Sequence, residues 1–263
     1  MISANRDIEG SLDPVERREL GGVRIDVLTF EQFFARLTVM IRNRRGGYAC
    51  GFGAVTLLEA TRSAEYKHAV NSADLVFVDS MPSIWFLRWS GVKDAQRLSA
   101  PDLTFMLCER AASAGIPVGF YGSTQDTLDR VRERLQARYP VLEISFMLSP
   151  PFRALSREED QEVVDAINHS GVGLLFVGLG CPKQEIWMAA HKESVKAVTI
   201  GVGAVFDIAA GKQRVPPRVV QAAGMQWLYR VLKEPRRLWK RYLFANSLFV
   251  YLVMKDWLKR LTP

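Results

Sequence analysis

Short apolar runs alternating with stretches of helical periodicity constrain this chain more than any other feature. The runs lie near 23–28, 47–52, 74–78, 116–121, 142–147, 172–178 and 196–201, and amphipathic stretches occupy 30–43, 54–70, 101–114, 124–138 and 157–169. That spacing predicts an α/β fold, a mostly parallel sheet flanked by helices. With 263 residues, 48% of them hydrophobic, the chain is long enough for one large domain with its own core and an appendage. Cys50, Cys108 and Cys181 match neither a disulfide framework nor a zinc spacing, which points to a reducing compartment. Residues 1–22 are polar and expected to be loose. Arg6, Asp7 and Glu9 sit there without an apolar core segment, so no secretory signal is expected.

Charge divides the chain. From Lys212 onward, twelve Lys or Arg face only Glu234 and Asp256, a net +10, so the remainder carries −3 of the overall +7. A basic segment confined to one end implies an anionic partner there. Gly211 to Pro217 marks the boundary, since Pro216-Pro217 interrupts any helix. The expected organisation is a flexible segment 1–22, an α/β domain 23–211 and a helical appendage 212–263, with helices near 218–233 and 235–261, the second opened by Pro235. Within the appendage, YLFANSLFVYLVM (242–254) is almost wholly apolar, flanked by Arg236, Arg237, Lys240 and Arg241 and by Lys255, Lys259 and Arg260. Thirteen residues are too few to span a bilayer. Basic flanks with Trp239, Tyr242, Tyr251 and Trp257 read as an anchor on an anionic membrane surface, with Phe244, Leu248, Phe249, Tyr251 and Leu252 entering the lipid. The alternative is a C-terminal helix packed on the domain. The apolar run argues against nucleic acid, because phosphate-tracking segments are polar.

In parallel sheets, ligands bind beyond the carboxyl ends of the strands. Three such ends are chemically loaded. In VGLGCPKQE (177–185), Gly178 and Gly180 permit a tight turn, and a helix start there would aim backbone N–H groups at a phosphate or sugar oxygen beside Lys183, Gln184 and Glu185. An ordinary βα turn fits the same pattern. GVGAVFD (201–207) sets Gly201 and Gly203 before Asp207. Close helix–sheet packing explains these residues, and so does the approach of a flat base to the backbone. Asp79 follows ADLVFV and can take a proton from an incoming hydroxyl, or cap a helix. His68, His169 and His191 have no partners at ligand spacing, and no acidic pair suggests a metal site.

Taken together, FVGLGCPKQEIW (176–187), IGVGAVFDIAAGKQRVPP (200–217) and GMQWLYRVLKEPRRLWKRY (224–242) resemble the WecG/TagA/CpsF glycosyltransferases. ADLVFVDS (73–80) and QRLSAPDL (96–103) extend the resemblance to about residues 23–245. It implies a Rossmann-like domain with a C-terminal helical appendage that docks on the membrane and completes the active site. It also implies inverting transfer, without metal or other cofactor, of N-acetylmannosamine or a related hexose. The donor would be a UDP-sugar and the acceptor a sugar on undecaprenyl diphosphate. The setting would be surface or exopolysaccharide synthesis, cytoplasmic and peripheral on the inner face of the membrane. Oligomeric state stays open. By resemblance Asp79 is the base, Arg97 and Gln184 are further catalytic residues, and Arg230, Arg237 and Arg241 meet the diphosphate. The glycine-rich ends, with Lys183, Glu185 and Asp207, would hold the donor.

Two departures stand out. The family's Thr-x-Asn is Gly51-Phe52-Gly53 here, and its Asp-Gly is Asp79-Ser80. Losing a hydroxyl and an amide beside the reacting sugar leaves the donor sugar open. It also leaves a catalytically weak membrane-bound assembly factor as an alternative.

Overall fold

The computed structural model describes residues 14–261. It begins with a hairpin, β1 (Glu16–Leu20) and β2 (Val23–Val27), antiparallel across Gly21-Gly22, both at positive φ. Such a two-residue turn matches the twist of the flanking strands, and glycine reaches it without strain. The loose segment expected over 1–22 is therefore corrected for residues 16–20, which are strand; residues 1–13, with Arg6, Asp7 and Glu9, lie outside the described residues.

Six parallel strands form the main sheet: β3 (Tyr48–Phe52), β4 (Leu75–Val78), β5 (Val118–Gly122), β6 (Ile144–Leu148), β7 (Leu174–Gly178) and β8 (Val198–Gly201). Their order is β4-β3-β8-β7-β5-β6. Although expected as a strand, β2 stays out of this ladder. Its buried Asp26 carboxylate accepts the Val76 N–H at 2.8 Å instead, and Arg24 donates to the Ala73 carbonyl. The hairpin thus covers the β4 edge through side chains, which blocks pairing with another chain.

In chain order the helices are α1 (Phe30–Asn43), α2 (Ala54–Arg62), α3 (Ala64–Asn71), α4 (Met81–Trp89), α5 (Ala100–Ala114), α6 (Gln125–Arg138), α7 (Arg157–His169), α8 (Lys183–Ala190), α9 (Val205–Ala209), α10 (Arg218–Ala222), α11 (Gln226–Lys233) and α12 (Pro235–Leu261). Caps set their starts. Thr29 and Gln32 form a reciprocal capping box on α1, as Ser156 and Glu159 do on α7. The single stretch expected over 54–70 is broken at Ser63, whose hydroxyl accepts the Tyr66 N–H at 3.1 Å and caps α3. α1, α5, α6 and α9 bury Phe33, Leu107, Val131 and Phe206 against Phe77, Phe120 and Phe176 on one face. α2, α3, α4, α7 and α8 bury Leu57, Tyr66, Ile84, Val164 and Met188 on the other.

The tail follows its expected outline, except that residues 218–233 form two short helices around Gly224, which sits at positive φ. α12 packs on α2 through Ala245 and Phe249, both buried. Its outer face leaves Leu243, Phe244, Val250, Tyr251 and Met254 exposed. The packed-helix reading of the apolar run therefore holds for the inner face, while the outer face stays uncovered. Phe249, expected to enter lipid, belongs to the inner face, and Leu252 packs beside Gly21. Among the described residues, no helix is long and apolar enough to cross a membrane.

Candidate functional site

The strand order gathers the loaded ends. β4, β3, β8 and β7 are neighbours, so Asp79, Gly51-Gly53, Gly201-Gly203 and Gly178-Gly180 emerge side by side at the carboxyl edge. A Cβ on Gly51 would lie 3.7 Å from the Asp79 Cβ, and one on Gly53 would lie 3.7 Å from the Ser80 Oγ. Four adjacent ends thus form a floor with little side-chain cover. The connections after β3 and β8 leave on opposite faces of the sheet, which is where a doubly wound sheet opens a crevice.

Asp79 sits at the edge of this floor. Its N–H donates to the Phe52 carbonyl at 3.1 Å, continuing the β3–β4 ladder one residue further. Its Oδ1 accepts the Ala100 N–H at 2.8 Å, because the segment before α5 lies along β4, with Leu98 N–H on the Val78 carbonyl at 2.8 Å. Burial pushes the Asp79 carboxyl above its ordinary range, and the Ala100 N–H, Arg230 and Arg97 pull it back only in part. A carboxylate with a raised pKa and one oxygen fixed by backbone suits proton acceptance. Asp79 is not the N-cap residue of α4, where Ser80 stands, but its Oδ1 does cap the first N–H of α5, so both sequence readings of this carboxylate stay in play.

Gln184, 5% exposed, ties two ends together. Its Oε1 accepts the Gly180 N–H at 3.2 Å and the Gly203 N–H at 3.0 Å, while its Nε2 donates to Glu185 Oε1 at 2.8 Å. Gly180 and Gly203 are both at positive φ, which turns these amides toward one carbonyl. Glu185 was expected beside a ligand. It is instead buried near Tyr66, Cys181 and Cys50, and burial raises its pKa, with the Gln184 amide opposing. What it holds is Gln184. Gly178 and Gly201 serve packing: a Cβ would stand 2.8 Å from the Phe206 ring at one and 2.9 Å from Gln184 Nε2 at the other.

Arginines from two directions meet the floor. Arg97 Nη2 donates to Gln221 Oε1 at 2.7 Å, and Gln221 in turn donates to the Pro216 carbonyl at 2.8 Å, so Arg97 links the sheet to the tail. On α11, Arg230 is close enough to Asp79 to act on its charge, and α12 steadies it through the Tyr242 hydroxyl at 3.3 Å. Arg241 donates to the Cys181 carbonyl at 3.2 Å and pairs with Glu59 of α2 at 3.4 Å. Arg97 Nη1 and Arg241 Nε are buried without a hydrogen-bond partner among the described residues. Such donors are costly unless an anion takes them. Arg237 differs. Its side chain is 70% exposed and pairs with Glu234 one turn back, so the structure does not bring it to the floor.

Lys183 is exposed beside the β7 end. Asp207 is in the first turn of α9, its carbonyl accepting the Lys212 and Gln213 N–H groups at 2.8 and 3.0 Å. His191 bonds Asp160 at 2.7 Å and stacks on Trp187, a structural contact between α7 and α8. Among the described residues, no three His, Cys, Asp or Glu side chains converge as metal ligands. Sequence reasoning read Tyr242, which steadies Arg230, only as a membrane aromatic, and it missed Gln221 and Glu59, the partners of Arg97 and Arg241. Nothing distinguishes these two in sequence from other polar helical residues.

The chain is similar to an enzyme of Bacillus spizizenii named N-acetylglucosaminyldiphosphoundecaprenol N-acetyl-beta-D-mannosaminyltransferase, with 26% identity over 207 residues, 78% of each chain. Residues 18–263 match the model of the Glycosyl transferase WecG/TagA/CpsF family, a span that includes the floor, the tail arginines and all but the first two residues of the hairpin. The chain belongs to the WecG/TagA/CpsF family of glycosyltransferases.

Proposed function

We propose that this glycosyltransferase moves a hexose, N-acetylmannosamine or a close relative, from a UDP donor to a sugar carried on undecaprenyl diphosphate. It acts as a peripheral enzyme on the inner face of the cell membrane, in surface or exopolysaccharide synthesis. Residues 23–211 are its catalytic domain and 212–263 its docking appendage. The acceptor follows from the name of the Bacillus spizizenii relative, and the donor from the family resemblance of the three long motifs.

One observation carries the chemistry: Asp79, its pKa raised by burial, stands between a glycine floor and arginines from the tail. In a single displacement, its second carboxylate oxygen takes the proton from the acceptor hydroxyl. The freed oxygen forms the new bond to the sugar's anomeric carbon as the bond from that carbon to the UDP oxygen breaks. The leaving electron pair stays on the diphosphate, where Arg230 and Arg241 offset the charge. Gln184 holds the β7 and β8 ends that cradle the donor, with Gly180, Lys183, Gly203 and Asp207 around it, while Gly178 and Gly201 let Phe206 and Gln184 pack against those ends. Arg97 holds the tail against Asp79.

The test is transfer itself. Full-length protein with a panel of UDP-hexoses and a short-chain, diphosphate-linked N-acetylglucosamine acceptor should give a disaccharide of inverted anomeric configuration with at least one donor. A retained configuration would overturn the single displacement. Absence of product with every UDP-sugar, against product with another nucleotide donor, would overturn the donor class.

A further inference from the structure

We propose that α4, a helix of the α/β domain, joins the outer face of α12 in one surface that seats on an anionic lipid bilayer, with Trp89 and Trp257 at its centre. This rests on the peripheral-membrane part of the proposed function and adds to it an element outside the basic tail.

α4 turns Ile84, Phe86 and Leu87 into the core and leaves Trp85 and Trp89, one turn apart, 47% and 55% exposed. Trp89 stacks on Trp257 of α12, itself 42% exposed, with centroids 6.1 Å apart and rings inclined by 22°. The stack continues into the outer face of α12, where Val250, Met254 and Trp257 follow at helical spacing and are all exposed. Single exposed apolar residues need no account. Three large rings contiguous with an aliphatic stripe form a patch that a monomer in water rarely leaves open.

Charge selects the occupant. Arg88 is the only charged residue of α4 and is exposed between its tryptophans; Lys93 and Lys255 are exposed as well, and the tail carries a net +10. In a two-fold contact with a second copy, the same face would meet itself and bring its basic surplus together, with only Asp94 and Asp256 nearby to offset Arg88, Lys93 and Lys255. Anionic head groups complement them, and the amphipathic indole suits the boundary between head groups and acyl chains.

The placement also has a use. α4 starts two residues after Asp79, and its nine residues rise about 13 Å, so the carboxylate and Trp89 stand at opposite ends of one rigid element. An acceptor whose apolar chain stays in the bilayer can then present its sugar at Asp79.

The experiment is co-sedimentation of the full chain with phosphatidylglycerol/phosphatidylcholine vesicles. Trp89→Ser should weaken binding roughly tenfold, as expected for losing a large buried ring. Arg88→Glu should weaken it by a similar factor at low salt and by less at physiological salt. Val141→Ser, an exposed apolar residue just ahead of β6 at the far edge of the sheet, should change nothing. Should Trp89→Ser fail to fold, Trp89→Phe serves: acyl-brominated lipid should quench the wild-type tryptophans, and this variant should bind yet lose part of the quenched signal. Wild-type protein that ignores anionic vesicles overturns the membrane reading as a whole. Wild-type binding that neither variant weakens overturns only the α4 surface. A dimer that Trp89→Ser dissociates, with vesicle binding unchanged, reassigns the face to a second copy.

Discussion

Around the strand ends, Gly178 and Gly201 occupy places where nothing larger fits, Gln184 is buried between them, and every strand there is covered by helices on both faces. The tail is built differently. α11 buries no side chain at all, and the appendage meets the floor through a few long side chains: Arg97 on Gln221, Arg241 on Glu59 and Cys181, Trp85 against Gly224. The strand ends are positioned by packing, which is rigid; in the tail α12 is packed on α2 through Ala245 and Phe249, whereas α10 and α11 are held by a few polar contacts, which a bound anion can remake. The contrast suits an enzyme whose donor site is preformed and whose diphosphate clamp arrives from a separate element.

The sharpest test of that division is at Asp79. Asp79→Asn keeps the size of the side chain and can still accept the Ala100 N–H, so the fold should survive while turnover falls roughly 10²–10⁴-fold. The pH dependence gives the sign. Because burial raises the Asp79 pKa, the base is protonated, and the rate lost, as pH falls through a value above the ordinary carboxylate range of about 3.9. The same raised pKa means that its stabilising contribution is complete below the unfolded pKa and declines as pH rises through the folded one. Asn should therefore leave the melting temperature at neutral pH unchanged or raise it, and the acid limb of kcat/KM should vanish. A variant with near-normal turnover removes Asp79 from the chemistry.

Next comes the clamp between strand ends. Gln184→Ala would leave the Gly180 and Gly203 N–H groups and one oxygen of a buried carboxylate without partners. Stability should fall by about 3 kcal/mol, or about 6–12 °C in melting temperature. Donor affinity should fall with it, since both glycine turns lose their tie. If the melting temperature holds and only turnover drops, Gln184 acts on substrate and is not a clamp.

These two residues also show what was legible in the chain. The strands near 47–52, 74–78 and 172–178 were readable because each is a short run buried on both faces, and the loaded ends because glycine and acid residues follow them. Strand order was not readable. It depends on which helices pack on which face, so the sequence offers no sign that Gly180 and Gly203, 23 residues apart, share one carbonyl. α4 was equally hidden, because Trp85 and Trp89 look as apolar as the Ile84 and Leu87 they flank, and only exposure separates them. Arg230, Arg237 and Arg241 looked alike in sequence. What separates Arg237 is Glu234, one turn away.

That separation gives a smaller, paired prediction within the tail. Arg241 holds a carbonyl and a carboxylate of the domain, so Arg241→Ala should lower the melting temperature by about 2–8 °C, equivalent to about 1–2 kcal/mol, along with turnover. Arg237→Ala removes a surface pair worth little and should leave the melting temperature within about 1 °C. If Arg237→Ala nonetheless cuts turnover, the side chain reaches the diphosphate only once substrate is bound, and the tail is more mobile than its resting contacts imply.

The smallest structural effect, and the most informative about specificity, is expected at Gly53. Its φ of −166° is extended backbone that any residue adopts, and a Cβ there would meet Ser80 at 3.7 and 3.8 Å, ordinary contact distances. Gly53→Asn should therefore fold with a stability change of about 0.5 kcal/mol or less, while placing an amide over the floor beside Asp79. Gly51 is tighter. A Cβ would stand 3.3 and 3.4 Å from the Phe77 ring, which packs edge to face with Phe33, so Gly51→Thr must displace a packed aromatic. Relief of glycine's strand entropy, about 0.5–1 kcal/mol, works against that cost and leaves a net loss of about 1 kcal/mol. Because the two glycines carry no hydrogen-bonding side chain, the floor lacks two groups with which to read a polar sugar substituent. Gly53→Asn should accordingly raise the preference among UDP-hexoses for N-acetylated donors, measured as a ratio of kcat/KM values for acetamido against hydroxyl sugars. An unchanged ratio in a well-folded Gly53→Asn would mean that this end of β3 does not face the donor, and that the donor sugar is read from the β7 and β8 ends instead.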